Sequence, residues 1–153
     1  MAFKNIRLNT SSNNSDKYIL ESQVGHLLRC AHQRHTAIFQ RRIGDRHLTP
    51  VQFAALVKLY DLGEVSQNQL GRNTAMDAST MQGVIKRLAL RGLIERKADP
   101  NDRRRLLLNL SEEGKKVVEL AIPSGRIITN STLSPLSDDE KKTLVTLLKK
   151  ISH

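Results

Sequence analysis

Three adjacent arginines, Arg103, Arg104 and Arg105, follow the run Asp99-Pro100-Asn101-Asp102 and precede an apolar stretch. Asp, Pro and Asn in that order make a turn, so the arginines stand at the tip of a hairpin. Guanidinium groups there can enter a narrow nucleic-acid groove, where the negative potential is deepest, or remain a solvated charged turn. A second polar set lies upstream, between Asp77 and Arg87. At helical period, Val84 and Ile85 turn inward and Ser79, Thr80, Gln82, Gly83 and Lys86 turn outward. Hydroxyls serve phosphates or base edges, Gln pairs with adenine, and Lys reaches phosphate or guanine. Gly83 weakens a helix. Either the helix backbone approaches DNA closely there, or it packs tightly on the preceding helix.

A third cluster sits near the start of the chain: His26, Arg29, Cys30, His32, Arg34 and His35. His35 lies about 20° from Leu28 on a helical wheel, on the apolar stripe itself. Beside Phe53 and Tyr60 of the next helix, it can hydrogen-bond a carboxylate or a ring hydroxyl, or be satisfied by a backbone carbonyl. His26 and Arg29 fall off that stripe, on a face that a second subunit can still cover. Metal ligation is not expected. His26/Cys30 and His32/His35 have ligand spacing but point to different sides of the helix, and no CxxC or HxxxH completes four ligands. Cys30, lacking a resolving cysteine, can only cross-link subunits. A catalytic role is excluded. No G-x-S-x-G elbow, P-loop or Gly-rich dinucleotide turn appears, and the paired carboxylates stand at helix starts, where capping explains them. No cofactor is implied.

The elements that must position these groups can be read in order. Val24, Leu27, Leu28, Ala31, Ile38 and Phe39 make Gln23 to Arg42 a long amphipathic helix. Thr49 caps the next, with Pro50 at its first position and Phe53, Leu56, Val57 and Tyr60 along it. Gly63 closes it. Ser66 caps a short helix over Gln67 to Arg72, and Ser66 and Gln67 at its start are candidate DNA contacts. After a turn, Asp77 caps the helix that carries Gln82 and ends at Gly92. Leu93 to Lys97 and Leu106 to Leu110 read as a two-stranded hairpin. Ser111 opens a further helix that Pro123 should kink or break. Ser137, followed by Asp138-Asp139-Glu140, opens the last helix, with Leu144, Val145, Leu147, Leu148 and Ile151 along it.

The chain's 153 residues suffice for one domain without disulfide or metal staples. A single cysteine suits a reducing cytoplasm, no run approaches the ~20 apolar residues of a membrane span, and the Asn/Ser-rich start lacks the apolar centre of a signal peptide. Net charge is +10, which favours an acidic partner. Residues 77–110 carry eight basic and four acidic groups, whereas 111–153 carry seven and six. The excess thus sits with the helix and hairpin, not with the tail. A winged helix that had lost DNA binding for protein contacts would show an acidic or apolar reading helix and wing; here both are basic or polar.

Helix, short helix, turn, helix and hairpin in direct succession is the order of a winged helix-turn-helix, whose second helix enters the major groove. The stretch Leu88 to Gly114 resembles the wing signature of the multiple-antibiotic-resistance regulator (MarR) family, and Leu48-Thr49-Pro50 and Ser66-Gln67 also match. The resemblance runs from about Gln23 to Ile151. It implies a mainly α fold with a small two-stranded β wing. Residues 1–18 would form a disordered arm. Residues 19–153 would form one domain, with dimerisation helices over about 20–46 and 112–152 and a winged unit over about 49–111. It further implies a homodimer bound to double-stranded DNA in the bacterial cytoplasm, with Arg104 in the minor groove and Asp102 orienting the arginines. Two winged units on a two-fold axis would read a pseudo-palindrome with half-sites one DNA turn apart. Repression is favoured, because occupying a promoter needs no polymerase-contacting surface. Many members release DNA on binding a small aromatic acid, which brings His26, Arg29, His35, Phe53 and Tyr60 forward as effector ligands. The run Gly25 to Phe39 is similar to a subgroup regulating nicotinate degradation, which implies a hydroxylated pyridine carboxylate such as 6-hydroxynicotinate, and control of catabolic or efflux genes.

Overall fold

A computed structural model describes residues 17–152. The expected arm therefore falls, up to residue 16, outside the described residues. After a 3-10 turn at Leu20–Ser22, the elements are α1 (Val24–Arg42), α2 (Pro50–Leu62), β1 (Val65–Ser66), α3 (Gln67–Thr74), α4 (Ala78–Leu90), β2 (Ile94–Asp99), β3 (Asp102–Leu110), α5 (Glu112–Thr132) and α6 (Asp138–Ile151).

Local chemistry sets most of the boundaries. Thr49, Ser66, Asp77, Ser111 and Ser137 each accept the backbone N–H three residues on, which starts α2, α3, α4, α5 and α6. Thr49 and Ser137 complete capping boxes with Gln52 and Glu140. At the hairpin–α5 junction the Ser111 hydroxyl donates to the Gly92 carbonyl at 2.6 Å and accepts the Gly114 N–H at 3.0 Å. A Cβ at Gly114 would lie 2.0 Å from the Leu93 carbonyl oxygen. Only glycine lets the wing root and α5 meet this closely.

The core joins α1, α2, α3, α4, the wing root and α5 through Phe39, Leu48, Leu56, Leu59, Leu70, Val84, Leu88, Leu108, Val118 and Ile128. Four expectations change. The two-stranded hairpin is the larger part of a three-stranded antiparallel sheet in the order β1-β3-β2, because Val65 and Ser66 pair with Leu108 and Leu107. The strands also reach further toward the turn than expected. Pro123 does not break its helix: α5 runs through it. Pro123 takes the donor from the Glu119 carbonyl, and both residues lie on the exposed face of the helix, where water can take the donor's place. Finally, only Ile38 and Phe39 of the α1 stripe are buried within the chain, and α6 buries no residue at all. Among the described residues no helix is long and apolar enough to cross a membrane.

Candidate functional site

Sheet register isolates the three arginines. Ala98 pairs with Leu106 and Asp99 with Asp102, so β2 advances one residue while β3 advances four. Arg103, Arg104 and Arg105 are left without opposing partners. Asp102 organises this loop-out: its Oδ1 accepts the Arg104 backbone N–H at 3.0 Å, and its Oδ2 lies 3.7 Å from Arg105 Nε. The carboxylate is thus turned back onto its own chain. The side chain of Arg103 lies outside the described residues; those of Arg104 and Arg105 are exposed.

Beside this segment, α3 and α4 form the helix-turn-helix. Ala75, at φ +52°, makes the turn between them. Ser79, Gln82 and Lys86 are exposed along α4. Thr80 is bound locally, its hydroxyl donating to Asp77 Oδ2 at 2.8 Å. The hydrogen bonds from the Thr80 backbone and hydroxyl hold the Asp77 carboxyl below its ordinary pKa. Gly83 does not serve packing against α3. A Cβ there would meet only the Arg87 side chain, at 3.4 Å, and a flexible guanidinium moves aside cheaply. Ser66 caps α3, while Gln67 and the sequence-unmarked Arg72 join Arg104 and Arg105 around a concavity of about 410 Å³.

The reading helix is tied to the rest of the molecule at its far end. Arg91, the C-cap of α4, bonds Asp45 in the α1–α2 loop. Burial pushes the Asp45 carboxyl up, but the bonds from Arg91 and the His47 backbone outweigh it and leave it below its ordinary value. This pair spans 46 residues and has no local sequence signature.

The five expected effector residues do not converge within one chain. His35 is half-buried, and its Nδ1 lies 3.0 Å from Thr132 Oγ1 in α5. The Thr132 hydroxyl already donates to the Ile128 carbonyl at 2.9 Å, so His35 Nδ1 is the donor and Nε2 keeps a free lone pair. Burial, with His32 adding to it, lowers the His35 pKa, so the ring is neutral at pH 7. Rings continue from His35 to Phe39, 6.4 Å between centroids, and from Phe39 to Phe53, 5.8 Å. Phe53 packs closely on α5, where a Cβ at Gly125 would lie 2.9 Å from its Cζ. Tyr60 belongs elsewhere, contrary to the expected His35–Phe53–Tyr60 cluster. It is 43% exposed, and its hydroxyl donates to Glu119 at 3.0 Å, thirteen residues or about 20 Å along α5 from Thr132. That bond to Glu119 raises the phenol's pKa. His26 and Arg29 bond each other at 3.2 Å on the opposite side of α1 from His35, with Cys30 Sγ 3.5 Å from His26 Nε2. Among the described residues no three His, Cys, Asp or Glu side chains gather as metal ligands do.

Comparison with known proteins agrees with this architecture. The MarR family model matches residues 48–106. Over 134 residues the chain is 41% identical to the HTH-type transcriptional repressor NicR of Pseudomonas putida, covering 88% of this chain and 85% of that protein. Bordetella bronchiseptica BpsR, whose DNA binding is regulated by 6-hydroxynicotinic acid, is 44% identical with a TM-score of 0.85, covering 90% of this chain and 98% of that one. A probable transcriptional regulator from Pseudomonas aeruginosa is 50% identical with a TM-score of 0.84, covering 87% of this chain and 99% of that one. With a winged helix-turn-helix and an arginine-tipped wing carried between long terminal helices, the chain belongs to the MarR family of DNA-binding transcriptional regulators.

Proposed function

We propose that this MarR-type repressor binds a pseudo-palindromic operator as a homodimer and is released from it by a hydroxylated pyridine carboxylate. The observation that carries the effector class is the likeness to BpsR, which extends through both terminal regions and not only the winged unit. The residues fit such a ligand. His35 offers a neutral acceptor at Nε2, which suits a ring hydroxyl or ring N–H. Phe53, partly exposed, supplies an aromatic face, and the buried Phe39 ring backs it from the core. A carboxylate needs a cation, and Arg29 with His26 can supply one only across the dimer, since they face away from His35 in their own chain. Tyr60 has no part in this reading. On DNA, Ser79, Gln82 and Lys86 of α4 face the major groove, Gly83 lets its backbone close in, and Arg104 enters the minor groove beside it.

The test is fluorescence anisotropy of the DNA upstream of the protein's own gene. It is run across a salt series, with 6-hydroxynicotinate, salicylate and benzoate titrated into the complex. Tight binding that weakens with salt, and relief by 6-hydroxynicotinate at lower concentration than by the two benzenoid acids, is the expected result. Salt-sensitive binding that none of the three relieves removes the effector and leaves the repressor.

A further inference from the structure

One arginine stands on the wrong side of the wing. Paired residues of an antiparallel sheet share a face, and the β2–β3 pairs are Ile94 with Leu110, Arg96 with Leu108 and Ala98 with Leu106. That face turns toward α4 and is buried at Ile94, Leu108 and Leu110. Arg96 is its one charged member. The neighbouring cation of β2, Lys97, points the other way and is neutralised by Glu64 at 2.7 Å. Arg96 instead lines a cleft of about 400 Å³ between the wing and α4, whose opposite wall carries Gln82 and Lys86 and whose floor is Ile85 and Leu108. Among the described residues neither Arg96 nor Lys86 lies within ion-pair distance of a carboxylate.

The plainer explanation is that the Arg96 stem covers apolar floor while its head stays wet. That accounts for the stem and not for the second cation across the cleft. Two like charges facing one cleft repel each other, and an anion between them turns that repulsion into attraction. The operator supplies such an anion by geometry. With α4 in the major groove and Arg104 in the adjacent minor groove, the sugar–phosphate strand that divides the two grooves must pass between helix and wing, over this cleft.

We infer that Arg96 and Lys86 together seat the phosphates of that dividing strand, so that Arg96 is a DNA-positioning residue and Lys86 serves phosphate and not guanine. This rests on the repressor reading above. A phosphate seat fixes register without reading sequence, and each phosphate left without its cation flattens the dependence of log affinity on log salt by about 0.9.

Arg96→Gln keeps the stem and removes the charge, and Arg96→Lys keeps the charge. Both are compared with wild type on operator and random-sequence duplexes from 50 to 200 mM salt, with circular dichroism to verify folding. Arg96→Gln is expected to lower the salt slope by about 0.9 per winged unit bound and to weaken operator and random DNA by the same factor, while Arg96→Lys keeps the wild-type slope. A duplex with one neutral methylphosphonate in the dividing strand should weaken wild type and leave Arg96→Gln indifferent. An unchanged slope in Arg96→Gln, or a weakening confined to the operator, overturns the phosphate seat. Wild-type protein without salt-sensitive DNA binding would overturn the repressor reading instead, so the two failures are told apart.

Discussion

His35 carries a pH dependence whose sign follows from its surroundings. Its folded pKa lies below the ordinary 6.5 because burial penalises the charged ring and His32 adds to that. The unfolded chain therefore takes up a proton at a higher pH than the native one. The stability tied to the neutral ring is complete above about pH 6.5 and is lost as pH falls through the folded value. Protonation also converts Nε2 from acceptor to donor and so removes the group assigned to the effector. Lowering the pH from about 7.5 to 5.5 should reduce the melting temperature of wild type more than that of His35→Gln, which has nothing to titrate at this position. Parallel melting curves for the two proteins would mean that His35 is solvated in both states. Neither its partner Thr132 nor the 97-residue separation between them has a mark in the sequence. The wheel placed His35 on the inner stripe, but only the packing of α1 on α5 decides what it meets there.

Elements were legible wherever a cause is local. A cap acts over three residues, so Thr49, Ser66, Asp77, Ser111 and Ser137 could each be read as a helix start, and Gly63 and Gly92, at φ +71° and +68°, as stops. The two-residue strand β1 is too short for any alternation and exists only because β3 lies beside it. Register is equally non-local: that Arg96 lies on the α4-facing side of the wing and the three arginines loop out depends on how β2 and β3 pair. Ala75 is the case where the local cue is missing. It holds the helix-turn-helix bend at φ +52° and ψ 39°, where a Cβ costs about 1 kcal/mol or more and glycine costs nothing. Ala75→Gly gives part of this back as extra freedom in the unfolded chain, so a net stabilisation of about 0.5–1 kcal/mol is expected. That corresponds to a melting temperature about 1–4 °C higher, read by thermal denaturation. A lower melting temperature would show that the bend prefers another conformation.

At the scale of the molecule, the apolar surface left uncovered asks for a second copy. Val24 is 67% exposed, Leu147 52% and Ile151 65%, and they lie on α6 and on the N-terminal half of α1, which the chain's own core does not cover. A helix of fourteen residues with no buried side chain, as α6 is, is marginal in water by itself and needs a surface to pack on. In a two-fold dimer every such contact occurs twice. Burying one leucine is worth about 1.5–3 kcal/mol, and replacing it with a charge on both subunits doubles the effect. Leu147→Glu, which keeps helix propensity, should therefore weaken dimerisation by about two to four orders of magnitude. Sedimentation at micromolar concentration is expected to show wild type as a dimer and the variant as a monomer. Operator affinity should fall with it, since a monomer holds one half-site and forgoes the 10²–10⁴-fold gain of linked binding. Binding of random DNA, which needs only one winged unit, should fall far less. A Leu147→Glu protein that still sediments as a dimer would place the interface away from α6 and leave that helix's exposed leucines to another partner.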